Sequence, residues 1–210
     1  MNEARLRGDG LAVVACADIL GRSGWKVARE GPVRPKLPSL LLNAASQHLL
    51  KDLFGRGDLL KGLHKIEQRV VRWGGKTVVL PHQALAVGEE ELLGRIGEVR
   101  AHEGGKYVIH GAKPLPDGVG EVVYGNRLAE AAEVELTKTA ARNACWIEAV
   151  ETGWLFAVCA GEDRAWMLAI GGTSEELLSQ SELLRGVVGS VAAERSSFAS
   201  QPRIGTRMTG

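Results

Sequence analysis

Cysteine is scarce in this sequence, metal-binding spacings are missing, and neither sign of charge is in excess. Three cysteines in 210 residues, Cys16, Cys145 and Cys159, stand isolated in apolar runs. An odd, scattered set excludes a disulfide framework and reads as reduced thiols in the core of a cytoplasmic protein. Cys16 sits near a helix start, where a thiol can be activated, but its apolar surroundings point to burial. No CxxC, HxxxH or HExxH occurs, and His48, His64, His82, His102 and His110 are dispersed. A metal site would need ligands gathered from distant segments. Charge is balanced at 26 basic against 25 acidic residues, which excludes the basic footprint of a nucleic-acid binder. No apolar run reaches the roughly 18 residues of a membrane span. The N-terminus lacks the basic and apolar regions of a secretory signal. There is no P-loop, no GxSxG elbow, no EF-hand loop and no internal repeat.

What is present is an ordinary globular composition, 45% apolar, long enough for one sizeable domain or two small ones sharing a core. The most informative segment is the opening Arg5-Leu6-Arg7-Gly8-Asp9-Gly10-Leu11-Ala12-Val13, with Glu30 placed 22 residues after Gly8. It predicts a βαβ unit: a strand Ala4–Arg7, a Gly-x-Gly turn, a small-residue helix Ala12–Leu20 ended by Gly24, and a strand Trp25–Ala28. In a dinucleotide site the first glycine permits the tight turn. The second lets backbone amides approach a pyrophosphate at the helix N-terminus, and the acid about 20 residues on accepts ribose hydroxyls. Val13 stands where that pattern wants a third glycine or alanine. Arg5 and Arg7 interrupt a strand type that is usually continuously apolar. A plain αβ turn is the alternative reading of the same residues.

The remainder alternates, then changes character. A Pro-rich connector spans Gly31–Pro38, and Ser39–Phe54 reads as helical with Gly55 past its end. Leu59–Leu63 reads as a further turn of helix. Ile66–Trp73 and Lys76–Leu80 flank Gly74-Gly75 as a hairpin. His82–Val87 is expected as a short strand, Glu90–Val99 as a helix with acids in its first turn, Tyr107–His110 as a buried strand and Pro114–Gly125 as a loop. Glu130–Leu136, Ala144–Val150, Trp154–Cys159 and Arg164–Ile170 read as an antiparallel meander. It carries Trp146, Trp154, Phe156 and Trp166, either as core or with one or two lining a substrate wall. Thr173 or Ser174 caps an expected helix Glu175–Ala193, and Arg195–Gly210 reads as a polar, irregular tail.

This order of elements, with Arg5–Glu30, Pro38–Asn43 followed by Leu49–Gly55, Leu85–Arg95, Gly125–Leu136, Cys145–Glu148 and Gly153–Phe156, resembles the flavoprotein hydroxylase superfamily. Its members include aromatic-ring monooxygenases, geranylgeranyl reductases and flavin-dependent tryptophan halogenases. The motifs are most similar to members that hydroxylate tryptophan side chains during peptide-cofactor maturation. The halogenase WxWxIP pattern survives only as Trp154–Cys159, which disfavours halogenation. Gly88 stands where relatives often carry Arg or Ser.

The resemblance implies an α/β plus antiparallel β fold, with a Rossmann-like FAD-binding layer beside an antiparallel substrate-type sheet. It divides the chain into 1–125 (FAD type, discontinuous), 126–172 (substrate-type sheet) and 173–210 (helix and tail). It implies FAD as cofactor, held by Gly8, Asp9, Gly10, Leu11 and Ala12 at the pyrophosphate and by Glu30 at the ribose, with Arg34 as a phosphate contact. The substrate would be a small molecule or a protein side chain. No catalytic acid or base stands out; His82 and His110 are the candidates nearest the expected cofactor face. The family's closing Gly-Asp segment is not matched. Either a fragment or a shortened relative is therefore expected, with a bare apolar face near the N-terminal strand and residues 8–13, covered by self-association or by a partner protein. A non-catalytic accessory protein without tight flavin binding is the rival reading. An NAD-dependent Rossmann enzyme is the third, and the meander argues against it.

Overall fold

A computed structural model describes residues 2–31, 34–97, 105–111 and 116–207. The chain opens with β1 (Glu3–Arg7), α1 (Leu11–Arg22) and β2 (Lys26–Glu30). β3 (Leu40–Asn43), α2 (Ala44–Phe54), β4 (His64–Trp73), β5 (Lys76–Val87) and α3 (Glu89–Ile96) follow. Then come β6 (Tyr107–His110), β7 (Val119–Val123), β8 (Leu128–Leu136), β9 (Ala144–Ala149), β10 (Trp154–Cys159) and β11 (Arg164–Ile170). α4 (Ser174–Gln180), β12 (Val188–Ala199) and β13 (Arg203–Arg207) close the order.

Two sheets carry the architecture. The first is parallel, in the order β2-β1-β6, with Arg7 in register with both Glu30 and His110. The expected union of the first strand with Tyr107–His110 is thus found. β1 alternates: Ala4 and Leu6 are buried, Arg5 and Arg7 half-exposed. One face of this layer is apolar and covered by α1, through Val13 and Ala17 packed with Leu6 and Val27. The other face is polar, which explains why arginines interrupt the strand.

The branched Val13 is accommodated by a glycine elsewhere. A Cβ on Gly111, just past β6, would lie 2.2 Å from Val13 Cγ2, while the Gly111 amide donates to the Arg7 carbonyl at 2.8 Å. The close approach that the motif normally grants through its third glycine is granted here from the neighbouring strand.

The second sheet has eight strands, in the order β12-β8-β11-β10-β9-β4-β5-β3. Its pairs are antiparallel except β4 with β9, which run parallel from Gln68–Ala144 to Arg72–Glu148. The main core lies on this sheet and includes Ile66, Trp146, Leu155, Met167, Leu177 and Leu184. A smaller cluster of Leu42, Leu50, Leu59, Leu60, Leu63, Val87 and Leu92 lies under α2 and α3.

Several local expectations are corrected. Ser39–Phe54 is not one helix. Leu40–Asn43 pairs with Ala84–Val87 as an edge strand, and Asn43 then caps α2 by accepting from the Ser46 amide at 2.9 Å. His82–Val87 is the end of a continuous strand that starts at Lys76. Within Pro114–Gly125, residues 119–123 form β7, paired with β13; residues 112–115 lie outside the described residues. α3 ends at Ile96, and residues 98–99 of its expected span are also outside them. The expected helix Glu175–Ala193 stops at Gln180, and Val188–Ala199 is a strand paired with β8. The expected irregular tail contains the end of β12 and all of β13. The physical reason for the helix stop is Glu148 of β9. Its buried carboxylate accepts the amides of Glu182, Leu183 and Leu184 and the Ser181 hydroxyl, which turns the chain there. Val187, Val188 and Val191 then suit a strand, since β-branched side chains pack well on a pleated surface.

Candidate functional site

The carboxyl end of β1 delivers the chain into a turn at Gly8, whose φ of 124° only glycine adopts readily. Its amide donates to the Glu30 carbonyl at 2.9 Å. Gly10 is the N-cap of α1 and provides no side-chain cap. The Val13 amide turns back to the Gly10 carbonyl at 3.0 Å and the Leu11 amide reaches the Glu89 carboxylate, so an anionic group already sits at this helix N-terminus, the usual setting for one.

The space above Gly10 is occupied by charge. A Cβ there would lie 2.7 Å from Arg34 Nη2 and 3.4 Å from Glu89 Oε1. Arg34 donates through both terminal nitrogens to Glu89, with Nη1 at 2.9 Å from Oε2. Glu89 also accepts the amides of Leu37, at 2.9 Å, and of Leu11, the first residue of α1. It is 2% exposed and begins α3, with Gly88 as N-cap. Beside this pair, Asp9 accepts the Arg34 amide at 3.1 Å and the Lys36 ammonium. Asp9 Oδ1 is buried without a hydrogen-bond partner.

Burial alone would raise the pKa of Glu89; the bonds from Arg34 and the two amides outweigh it and hold the carboxyl below its ordinary value. Asp9 is likewise held down, by Lys36 and the Arg34 amide against burial. Hydrogen bonding to Glu89 raises Arg34. All three are charged at neutral pH.

The structure therefore brings Gly8, Asp9, Gly10, Leu11 and Arg34 together. Ala12 is exposed in the first turn of α1. Glu30 does not join the cluster through its side chain. It pairs with Arg7 Nε at 2.9 Å and Arg5 Nε at 3.5 Å on the polar face of the parallel layer. His110 closes β6 in register with Arg7, next to the glycine turn. His82 belongs to the other sheet, where its Nε2 lies 3.0 Å from Arg69 Nη2; burial and that guanidinium lower its pKa.

Glu89 and Lys36 were not legible as site residues. In sequence Glu89 is one of three acids that satisfy the dipole of their own helix. Only the fold turns it toward a second helix.

A cleft of about 330 Å³ opens beside the start of α3, lined among others by Ser39, His64, Val87, Gly88 and Trp166. The Ser39 hydroxyl is buried without a partner. Trp146 is core, whereas Trp166 reaches this cleft. Cys145 and Cys159 are free and buried, and burial pushes both thiols up. Among the described residues no group of His, Cys, Asp and Glu could hold a metal ion, and no helix is long and apolar enough to cross a membrane.

A dinucleotide diphosphate suits the donors found here: two cations, a helix N-terminus and a glycine that leaves room for backbone approach. Glu89 already draws on two of those donors.

No protein-family model matches the chain, and no curated protein matches it. Solved structures do. The myxobacterial chondrochloren halogenase CndH, an FAD-dependent enzyme, superposes with a TM-score of 0.77 at 12% identity, over 100% of this chain and 67% of that one. A 2-methyl-3-hydroxypyridine-5-carboxylic acid oxygenase variant gives 0.69 at 12% identity, over 99% and 73%. The peptidyl tryptophan dihydroxylase QhpG, essential for tryptophylquinone cofactor biogenesis, gives 0.67 at 15% identity, over 94% and 56%. The chain thus spans between about half and three-quarters of these proteins' lengths. At such identities the likeness establishes the fold: mixed α/β, of the type shared by FAD-dependent halogenases, hydroxylases and oxygenases.

Proposed function

We propose that this chain is an FAD-dependent oxidoreductase or monooxygenase of the flavoprotein hydroxylase type. The observation that carries the reading is the convergence of Arg34 and the N-terminus of α1 on the space above Gly10, with Lys36 on the adjoining Asp9, at the carboxyl end of a parallel sheet. Crevices of that kind bind nucleotides in open α/β folds. Gly8, Asp9, Gly10, Leu11 and Ala12 border the diphosphate, Arg34 and Lys36 neutralise it, and Glu30 offers its carboxylate to a ribose. Redox chemistry is the flavin's own; the chain binds and orients it. The cleft beside Trp166 is the proposed substrate space, suited to a small aromatic molecule or an aromatic side chain.

Titration of the purified chain with ADP and FAD in a calorimeter tests this. Gly10→Ala should weaken both, since the added methyl crowds the phosphate approach and displaces the Arg34 guanidinium, 2.7 Å away, from its place over the turn. Glu30→Ala should weaken them about ten- to a hundredfold, the worth of a charged hydrogen bond. Unchanged binding in both variants would move the site elsewhere. A second reading, an accessory protein that keeps the fold without tight flavin, is favoured by one observation: Glu89 holds the anion position. Absence of any FAD binding by the parent would establish it.

For partners, we infer self-association through β6. Among the described residues it is an edge strand, and its Tyr107, Val108 and Ile109 are 50%, 45% and 39% exposed. Light scattering at micromolar concentration tests it; a monomer at all concentrations rejects it.

A further inference from the structure

The charges around Gly10 already balance. Arg34 and Lys36 face Asp9 and Glu89, and each carboxylate is bonded to a cation. A diphosphate would bring two further negative charges against the Glu89 and Asp9 side chains, which are 2% and 13% exposed, and like charges shielded from water repel. Moving one carboxylate away relieves that repulsion.

Asp9 is fixed by its place in the glycine turn. Glu89 is different. It reaches across from α3 to bond with both nitrogens of Arg34 and with the first amide of α1. These donors are also the ones suited to phosphate oxygens: a planar guanidinium fork and a helix N-terminus. A solvated surface acid would not be 2% exposed.

We propose that Glu89 is a built-in competitor of the diphosphate for Arg34 and the α1 N-terminus, so that its displacement sets the affinity of this site for nucleotides. The proposal rests on the FAD reading and deepens it. Glu89 completes the site and keeps Arg34 in place over Gly10. On binding, Arg34 passes from the carboxylate to a phosphate oxygen, and the Glu89 side chain gives up its bonds to Arg34 and the Leu11 amide.

The test is calorimetric titration of the full chain, parent and variants, with ADP, inorganic pyrophosphate and adenosine. Glu89→Gln keeps the shape and removes the charge. It should bind ADP and pyrophosphate at least tenfold tighter than the parent, with adenosine unchanged, because only the phosphates meet Glu89. Arg34→Gln should shift ADP the opposite way. Glu89→Asp shortens the reach and should tighten ADP by a smaller factor; it carries the test if the Gln variant loses its cooperative melt. Equal or weaker ADP binding by the folded Glu89 variants overturns the competitor role while leaving the FAD reading intact, provided the parent binds ADP and Gly10→Ala weakens it. If neither parent nor variants bind ADP at millimolar concentration, both ideas fall.

Discussion

Val13 and Gly111 act as one packing unit between α1 and the end of β6. Gly111→Ala places a methyl within 2.2 Å of Val13 Cγ2 and should cost about 1–3 kcal/mol, the usual range for overpacking. Val13→Ala in the same chain should recover part of that loss, giving a coupling energy that denaturant unfolding of the four-member cycle measures. Additive losses would mean that the two sites are independent. Glu148 is the other residue with a large role. Burial alone would raise its pKa, but the Ser181 hydroxyl and the amides of Leu184, Leu183 and Glu182 hold it below the ordinary value of 4.5. A depressed carboxyl stabilises the fold above its unfolded value, and the gain is lost as pH falls through the folded value. Melting temperature should therefore drop on acidification below about 4.5, the ordinary value. Glu148→Gln should cost about 1–3 kcal/mol at neutral pH and flatten that acid slope. A variant with the parent's acid slope would assign the slope to Asp9 and Glu89 instead. Neither pairing could be read from sequence: Gly111 is 98 residues from Val13, and nothing local marks Glu148 as an anchor for residues 181–184.

Among the elements, α4 shows what a local signal reaches and where it ends. Thr173 accepts the Glu176 amide, and the Glu176 carboxylate accepts the Thr173 amide at 2.8 Å. Thr173→Ala should cost roughly 1 kcal/mol, the typical worth of such a cap, seen as a lower midpoint with an unchanged denaturant slope. That start was legible because its four residues carry the whole mechanism. The stop was not, because Leu183, Leu184, Val187 and Val191 continue a helical spacing past Gln180 and only Glu148 breaks it. Strands β10 and β11 were legible end to end: both are flanked by turn residues and buried among neighbours on both sides. β12 was missed because Val188 and Val191 continue the helical spacing of the preceding segment, and β13 because it is a short, mostly polar edge strand, and edges need no alternating apolar face. At the candidate site, the glycine turn was legible from spacing. The Glu89–Arg34 pair was not, since it joins segments 55 residues apart.

For the whole molecule, the parallel contact between β4 and β9 is the seam that makes one eight-stranded sheet from residues 40–87 and 128–199. A chain ending at Gly97 would keep β3, β4 and β5 but leave β4 with an open, partly apolar edge. Such a fragment should precipitate or form high-molecular-weight species on size-exclusion chromatography, while the full chain elutes sharply. A soluble, cooperatively melting fragment would show that the first half closes its own core. The seam also sets a clock on the ribosome. Ala149 at the end of β9 comes 76 residues after Trp73 at the end of β4. At about 5–20 residues per second, the nascent strand waits roughly 4–15 s for its partner. For that interval its free edge is a target for chaperones, and codons that slow elongation between the two strands would lengthen the exposure.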